Sequence, residues 1–288
     1  MLGKEHLMRS IVRCAALFAA LCVVAVGSGV AGGGGPSPGA VVGGDGVTAP
    51  GGLVRYVALP GSASRTTVAA VRVKGGRVTL FTSVPGVLGV PQVAFDGSMG
   101  GVSADGRRLV LASTLGAGGD RTTFAVLTKT LGVVNTIRLR GVWSFDAISP
   151  GGATIYAIEY RMSANPPSYR VRAIDAVSGR VRPGAIVDKR APGEVMRGSP
   201  VTRVEAIGSA YTLYTRPNGT AFVHALDTRH GTASCIDLPW DATANGIWNV
   251  RLSVAGGILR LRQRGVGMLA SVELDGLRVR SYRPPAEV

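Results

Sequence analysis

Repetition constrains this chain more than any other feature. A small-polar turn followed by an apolar run occurs at Ser103-Ala104-Asp105-Gly106-Arg107-Arg108-Leu109-Val110-Leu111 and again at Ser149-Pro150-Gly151-Gly152-Ala153-Thr154-Ile155-Tyr156-Ala157. A third copy is Ser253-Val254-Ala255-Gly256-Gly257-Ile258-Leu259, and Glu205 to Leu213 is a degraded fourth. The other half of the unit is a hairpin with its own turn residues. It is clearest at Ile174-Asp175-Ala176-Val177-Ser178-Gly179-Arg180-Val181 and Leu226-Asp227-Thr228-Arg229-His230-Gly231-Thr232-Ala233. Looser copies surround Gly76, Gly132 and Gly276, so the five hairpin glycines recur every 45 to 56 residues. The turns supply Gly or Asp where positive φ is needed, and the runs alternate with period two. No segment keeps an apolar stripe at helical spacing for longer than about two turns.

Five units of about fifty residues with roughly four short strands each predict an all-β chain, a β-propeller of about five four-stranded blades. A lone four-stranded sheet cannot bury both faces, and a ring of sheets can. The Ser-Pro/Ala-Asp/Gly-Gly turns at 103–106 and 149–152, with the Asp-x-x-x-Gly hairpins at 175–179 and 227–231, resemble those of bacterial extracellular propeller repeats related to the YVTN and WD-repeat superfamily. The resemblance spans about residues 53–285 and implies architecture only. The WD dipeptide that closes each blade of that superfamily is missing, apart from Trp240-Asp241 after a proline, and the cofactor signature of quinoprotein propellers is missing too. The first interval, from Gly76 to Gly132, is the longest. An incomplete first blade, closed by a strand from residues 53–59 pairing with the last unit, is therefore an open alternative to a regular ring.

Ahead of the repeats, Lys4, Arg9 and Arg13 precede an apolar run from Cys14 to Val26, followed by small residues and four glycines. This is the layout of a secretory signal peptide over residues 1–31. The run is shorter than the ~20 residues that cross a bilayer core as a helix, so a retained anchor is the weaker alternative. Lipid attachment at Cys22 is weaker still, because the bulky Leu21 precedes it. Residues 32–52, rich in Gly and Pro, are expected to be a flexible linker, and residues 53–288 the propeller domain. Gly35-Pro36-Ser37-Pro38-Gly39 formally matches a G-x-S-x-G elbow, but prolines flank the serine where a strand and a helix are needed.

Composition sets the chemical limits. With 42 glycines and 46% hydrophobic residues, the chain is neither a disordered polyanion-binding tail nor a helical bundle. The net charge is +15 and falls to +13 once residues 1–31 are removed, leaving 29 basic and 16 acidic side chains. The mature chain keeps a single cysteine, Cys235, so no internal disulfide is available to it. Arginines stand two apart at Arg138/Arg140, Arg170/Arg172, Arg180/Arg182, Arg260/Arg262/Arg264 and Arg278/Arg280, which in a strand puts each set on one face. They read either as ordinary solvated faces or as basic ridges that hold anionic polymers through bidentate guanidinium pairing. Nucleic acid is not expected, since aromatic residues do not interleave with the arginines.

Candidate catalytic groups are sparse. If the hairpin loop runs from Thr228 to Gly231, His224 lies opposite Cys235, a possible nucleophile pair or half of a soft metal site, with Asp237 nearby. The alternative is a buried structural cysteine beside a hydrogen-bonded histidine. The carboxylates Asp146, Glu159, Asp175, Asp188 and Glu194 could converge as an acid–base pair only through the fold, and Asp175 is better read as a turn-capping group. No catalytic residue, metal site or cofactor is assigned. Two segments lengthen the third unit, at residues 160–169 and 188–197, and they place the candidate binding residues at Arg161, Tyr169, Asp188, Lys189, Arg190, Glu194 and Arg197. The expected function is a secreted, monomeric, non-catalytic propeller that scaffolds an anionic envelope polymer or a protein partner, with no stable membrane insertion of the mature chain. A secreted propeller hydrolase or lyase acting on a carbohydrate or ester is the alternative.

Overall fold

The computed structural model describes residues 39–62, 64–114, 120–161, 168–190, 196–206, 208–241 and 246–282. The expected signal peptide, the G-x-S-x-G serine, and Glu194 lie outside them. The chain is a β-propeller of five antiparallel sheets. Strand β1 (Ala40–Val41) joins the second sheet, and β2 (Val47–Thr48), β3 (Val54–Pro60), β4 (Arg65–Arg72) and β5 (Val78–Pro85) form the first. The second is completed by β6 (Leu88–Pro91), β7 (Arg108–Ser113), β8 (Arg121–Thr128) and β9 (Val133–Arg140). The third contains β10 (Trp143–Ile148), β11 (Thr154–Arg161) and β12 (Ser168–Asp175), and three isolated bridges, Ile174 to Val181, Val171 to Ile186 and Tyr169 to Met196, stand where its fourth strand would be. The fourth is β13 (Ser199–Ala206), β14 (Ser209–Thr215), β15 (Thr220–Asp227) and β16 (Thr232–Asp241), and the fifth β17 (Val250–Ala255), β18 (Ile258–Gln263), β19 (Gly267–Glu273) and β20 (Arg278–Ser281).

The marker glycines of the repeat fall in the turns that follow β4, β8, β12, β15 and β19. The turn chemistry is local. Asp175 accepts from the amides of Val177 and Ser178 and from the Ser178 hydroxyl, and Asp227 accepts from the amides of Arg229 and His230. Gly179 and Gly231, at φ of 73° and 69°, then close these turns in the left-handed region that glycine tolerates.

Two sequence expectations are corrected here. Residues 40–52 are part of the propeller rather than a linker: β1 pairs with β6, β2 pairs with β3, and Ala49-Pro50-Gly51-Gly52 is a further copy of the turn at 149–152. In both copies the glycine amide bonds back three residues, Gly52 to Ala49 and Gly152 to Ser149. Over residues 40–52 the Gly and Pro content that suggested a tether is turn chemistry. The segment 53–59 does not pair with the last unit either, since β3 lies between β2 and β4 of its own sheet.

Alternation in the strands sends successive side chains to different neighbours. In β8, Ala125 and Leu127 pack toward the first sheet while Phe124 and Val126 pack toward the third. In β11, Ile155 and Ala157 face the second sheet and Tyr156 and Ile158 the fourth. In β14, Ala210 and Tyr214 face the third sheet, Tyr211 and Leu213 the fifth. Central strands covered on both faces therefore read as near-continuous apolar runs. Buried clusters join sheets one to two, two to three, three to four and four to five. Among the described residues none joins five to one, and the outer face of the first sheet has only its own small cluster of Val57, Ala69 and Val71.

Hydrogen bonds tie neighbouring sheets at corresponding places. Tyr56 donates to the Lys129 carbonyl in the second sheet's hairpin at 3.2 Å, and Tyr156 donates to the Thr228 carbonyl in the fourth's at 3.0 Å. The loop after β6 reaches further. Its Phe95 and Asp96 amides donate to the Pro200 and Val201 carbonyls of β13, and the Phe95 ring meets Trp248 edge-on at 6.1 Å.

This layering makes two phenylalanines unequal. Phe124, fully buried between the second and third sheets, should cost about 3–5 kcal/mol when changed to Ala. Phe81, 76% exposed on the outer face of the first sheet, should cost under about 0.5 kcal/mol. Urea unfolding of both variants measures the difference, and equal costs would contradict a first sheet covered on one face only.

Candidate functional site

One polar row crosses the otherwise apolar layer between the third and fourth sheets. Register places Arg203 of β13 opposite Thr212 of β14, Thr212 opposite His224 of β15, and His224 opposite Cys235 of β16. The pairing inferred from the hairpin sequence is thus the one present, with Cys235 Sγ 3.9 Å from His224 Nδ1. At the inner end Arg203 Nη1 donates to Asp146 Oδ1 of β10 at 2.7 Å, both side chains under 5% exposed, while Nη2 reaches Glu205 at 3.0 Å. At the outer end Asp188 accepts from the Cys235 amide, and Arg190 donates to the Cys235 carbonyl. Asp146 Oδ2, Arg203 Nε and His224 Nε2 are buried without a protein partner.

The electrostatics of this row do not favour thiolate chemistry. Burial pushes the His224 imidazole below its ordinary pKa; the Arg203 charge adds to the effect, and Asp146 and Asp188 oppose it. A neutral imidazole offers Cys235 no positive charge to hold a thiolate, and charging the ring in this layer means charging a buried group.

Of the scattered carboxylates, the described Asp146, Glu159, Asp175 and Asp188 are all partnered. Glu159 holds Arg170 and Arg172 at 2.6 and 3.0 Å. Burial alone would raise the Glu159 pKa, but those two guanidinium groups outweigh it and keep the carboxyl below its ordinary range. Asp237 pairs with Arg216 at 2.8 Å, and Asp175 and Asp227 cap hairpins. Among the described residues no group of three His, Cys, Asp or Glu side chains is placed to hold a metal ion.

The binding residues expected in the third unit are distributed differently. Tyr169 is buried and donates to the Gly198 carbonyl. Asp188 is buried in an ion pair with Arg190, whose hydrogen bonds hold the Asp188 carboxyl well below its usual range. With an Asp188–Ala233 bridge, this pair clasps residues 188–190 onto β16 and covers that sheet edge. These three residues serve the fold, because their polar groups are already taken up. Arg161, Lys189 and Arg197 remain exposed.

The arginine ridges are also unequal. Arg170 and Arg172 share the single carboxylate of Glu159, and Arg182 donates to Thr154 Oγ1. Arg264 leaves its ridge for a turn, where its amide bonds the Asn249 carbonyl. The outer face of the fifth sheet is the exception. There Arg251 stands directly opposite Arg262, and Arg260 lines up with Ser271 and then Arg280. Arg251 bonds the Trp248 and Val250 carbonyls and Arg260 the Ala255 carbonyl, but among the described residues none of the four pairs with a carboxylate. Arg278 on the same face does, with Glu273 at 2.8 Å. Arg251 escaped the sequence reading because it lacks an arginine two residues away. The alternation of Arg251-Leu252-Ser253-Val254 beside Arg260-Leu261-Arg262 was the signal that could have placed it.

No family model matches the chain, and no curated protein sequence matches it. Among solved structures, the Dos1 propeller aligns over 82% of this chain and 55% of its own, at 10% identity and a TM-score of 0.43. Puromycin hydrolase aligns over 84% and 40%, at 15% identity and 0.40, and the putative TolB from Agrobacterium tumefaciens over 82% and 78%, at 12% identity and 0.40. This chain thus spans about half the length of the first and two fifths of the second. The likeness is one of fold, and no activity passes through it. No helix among the described residues is long and apolar enough to cross a membrane.

The depressed His224 pKa has a signed consequence. The folded state keeps the ring neutral while the unfolded chain takes up a proton below about pH 6.5, so stability is full above that pH and declines as pH falls toward the folded pKa. The slope from this one group is at most about 1.4 kcal/mol per pH unit. Unfolding free energies between pH 7.5 and 5 should lose this slope in His224→Gln; an unchanged slope would count against a buried neutral imidazole.

Proposed function

We propose that this chain is an exported, non-catalytic propeller of the bacterial group resembling YVTN and WD-repeat proteins, and that it holds an anionic cell-envelope polymer on the outer face of its fifth sheet. The observation that carries the reading is the unpaired arginine face. Like charges directly opposite in a sheet are destabilising, and folding alone gives no return for setting Arg251 against Arg262. An anion laid across the face removes the repulsion. Side chains two apart along a strand repeat at ~7 Å and opposite ones at ~5 Å, so these groups offer a grid of donors to a polymer with closely repeating charges. Guanidinium groups suit phosphate and carboxylate through paired donors. The net charge, +13 without residues 1–31, brings polyanions to the surface, and the exposed Arg161, Lys189 and Arg197 extend the basic field.

Export rests on the three-part layout of residues 1–31. The hydrolase alternative draws on the approach of Cys235 to His224. The neutral, buried imidazole and the partnered carboxylates weigh against it.

Binding to poly(glycerol phosphate) at 50 and 300 mM salt tests the reading. Affinity should fall steeply with salt, because exposed charges are screened. Arg251→Ala combined with Arg262→Ala should weaken binding at least about tenfold at low salt, consistent with ~1.4 kcal/mol or more for two charge-assisted contacts. Salt-independent binding, or a double variant that binds as well as the parent, removes the proposal.

A further inference from the structure

The first-to-second-strand turns of four sheets surround a cavity of about 240 Å³. Most of its lining side chains are apolar, with Val47 and Pro50 from the first sheet, Met99 and Val102 from the second, and Ile148 from the third, while the surface open to the cavity is more polar than apolar. The fourth sheet contributes Glu205, which is the only ionisable group in the lining among the described residues. In a chain with 32 basic and 17 acidic residues, an acid as the sole charge of such a cavity runs against the protein's own field.

Arg203 compensates Glu205 only in part. It bonds both Glu205 and the buried Asp146, so one guanidinium serves two carboxylates and the group carries a net charge of −1. Arg203 is buried while the Glu205 side chain is half exposed, which directs the surplus charge outward. Arg229 packs beside Gly208 at the rim, but it lines a separate cavity with Tyr156 and His230.

From the cavity and its charge we infer that this mouth is a binding site for a small amphipathic organic cation, an ammonium group on a compact branched apolar body. The ammonium pairs with Glu205 and the apolar body removes the Val47, Met99 and Ile148 walls from water. The volume is near the lower end of ligand pockets, which start at ~300 Å³, so the occupant is of single-amine size rather than a polymer. The site is separate from the arginine face, because the fifth sheet contributes nothing to its lining.

Titration of the full chain with 3-methylbutylammonium and with its neutral counterpart 3-methylbutanol, followed by calorimetry, tests the inference. The ammonium should bind at least about tenfold more tightly than the alcohol, and Glu205→Gln should remove that preference. Ala104→Phe, at an exposed lining position, should abolish binding of both probes while the thermal midpoint stays at the parent value. Equal affinity for the two probes, an ammonium affinity unchanged in Glu205→Gln, or no binding by the parent at 10 mM ammonium would each overturn the assignment. Poly(glycerol phosphate) binding by Glu205→Gln reports separately on the arginine face.

Discussion

Every sheet in this protein is apolar on two faces or apolar on one, and that difference organises the molecule. A central strand such as β11 sends Ile155 and Ala157 one way and Tyr156 and Ile158 the other, so its sheet is stable only with a neighbour on each side. Stacking satisfies this for the second, third and fourth sheets. The first and fifth have a covered face and an outer one, and their outer faces differ in kind. The first carries small buried residues beneath an exposed Phe81, whereas the fifth carries a grid of arginines. Charge on an outer strand face also discourages further sheets from adding to it.

The polar row between the third and fourth sheets is a second organising element. A buried ion pair such as Arg203–Asp146 contributes little net stability relative to apolar packing of the same shape, yet removing one partner leaves a charge stranded. Its effect on this fold is selective. Any other alignment of the two sheets would leave Arg203 or Asp146 buried against hydrocarbon, so the pair penalises misregistration more than it rewards correct packing. Thr212 and His224 continue the row outward, and the Asp188–Arg190 clasp ends it at the sheet edge.

The same residues explain why the chain carries two sites of opposite sign. Arg203 is enclosed between Asp146 and Glu205, which leaves a carboxylate at the mouth of the cavity, while Arg251, Arg260, Arg262 and Arg280 of the fifth sheet have no carboxylate opposite them. A basic chain can thus present a local anionic pocket, because Asp146 and Glu205 share one guanidinium there.

Local chemistry was legible in the sequence. Turn residues and period-two alternation act over fewer than ten positions, so the five units, their hairpin glycines, the capping role of Asp175 and the opposition of His224 to Cys235 could be read directly. The first copy of the turn, at Ala49 to Gly52, was hidden because glycine and proline mark a turn and a tether alike; only its pairing to β3 distinguishes them. Asp146 and Arg203 stand 57 positions apart, and no spacing rule joins them. Which arginine face stays uncovered, which carboxylates are neutralised and where a cavity opens depend on the neighbour each sheet meets. Burial is a property of stacked surfaces, and a strand's alternation states that it has two faces without stating what lies against them.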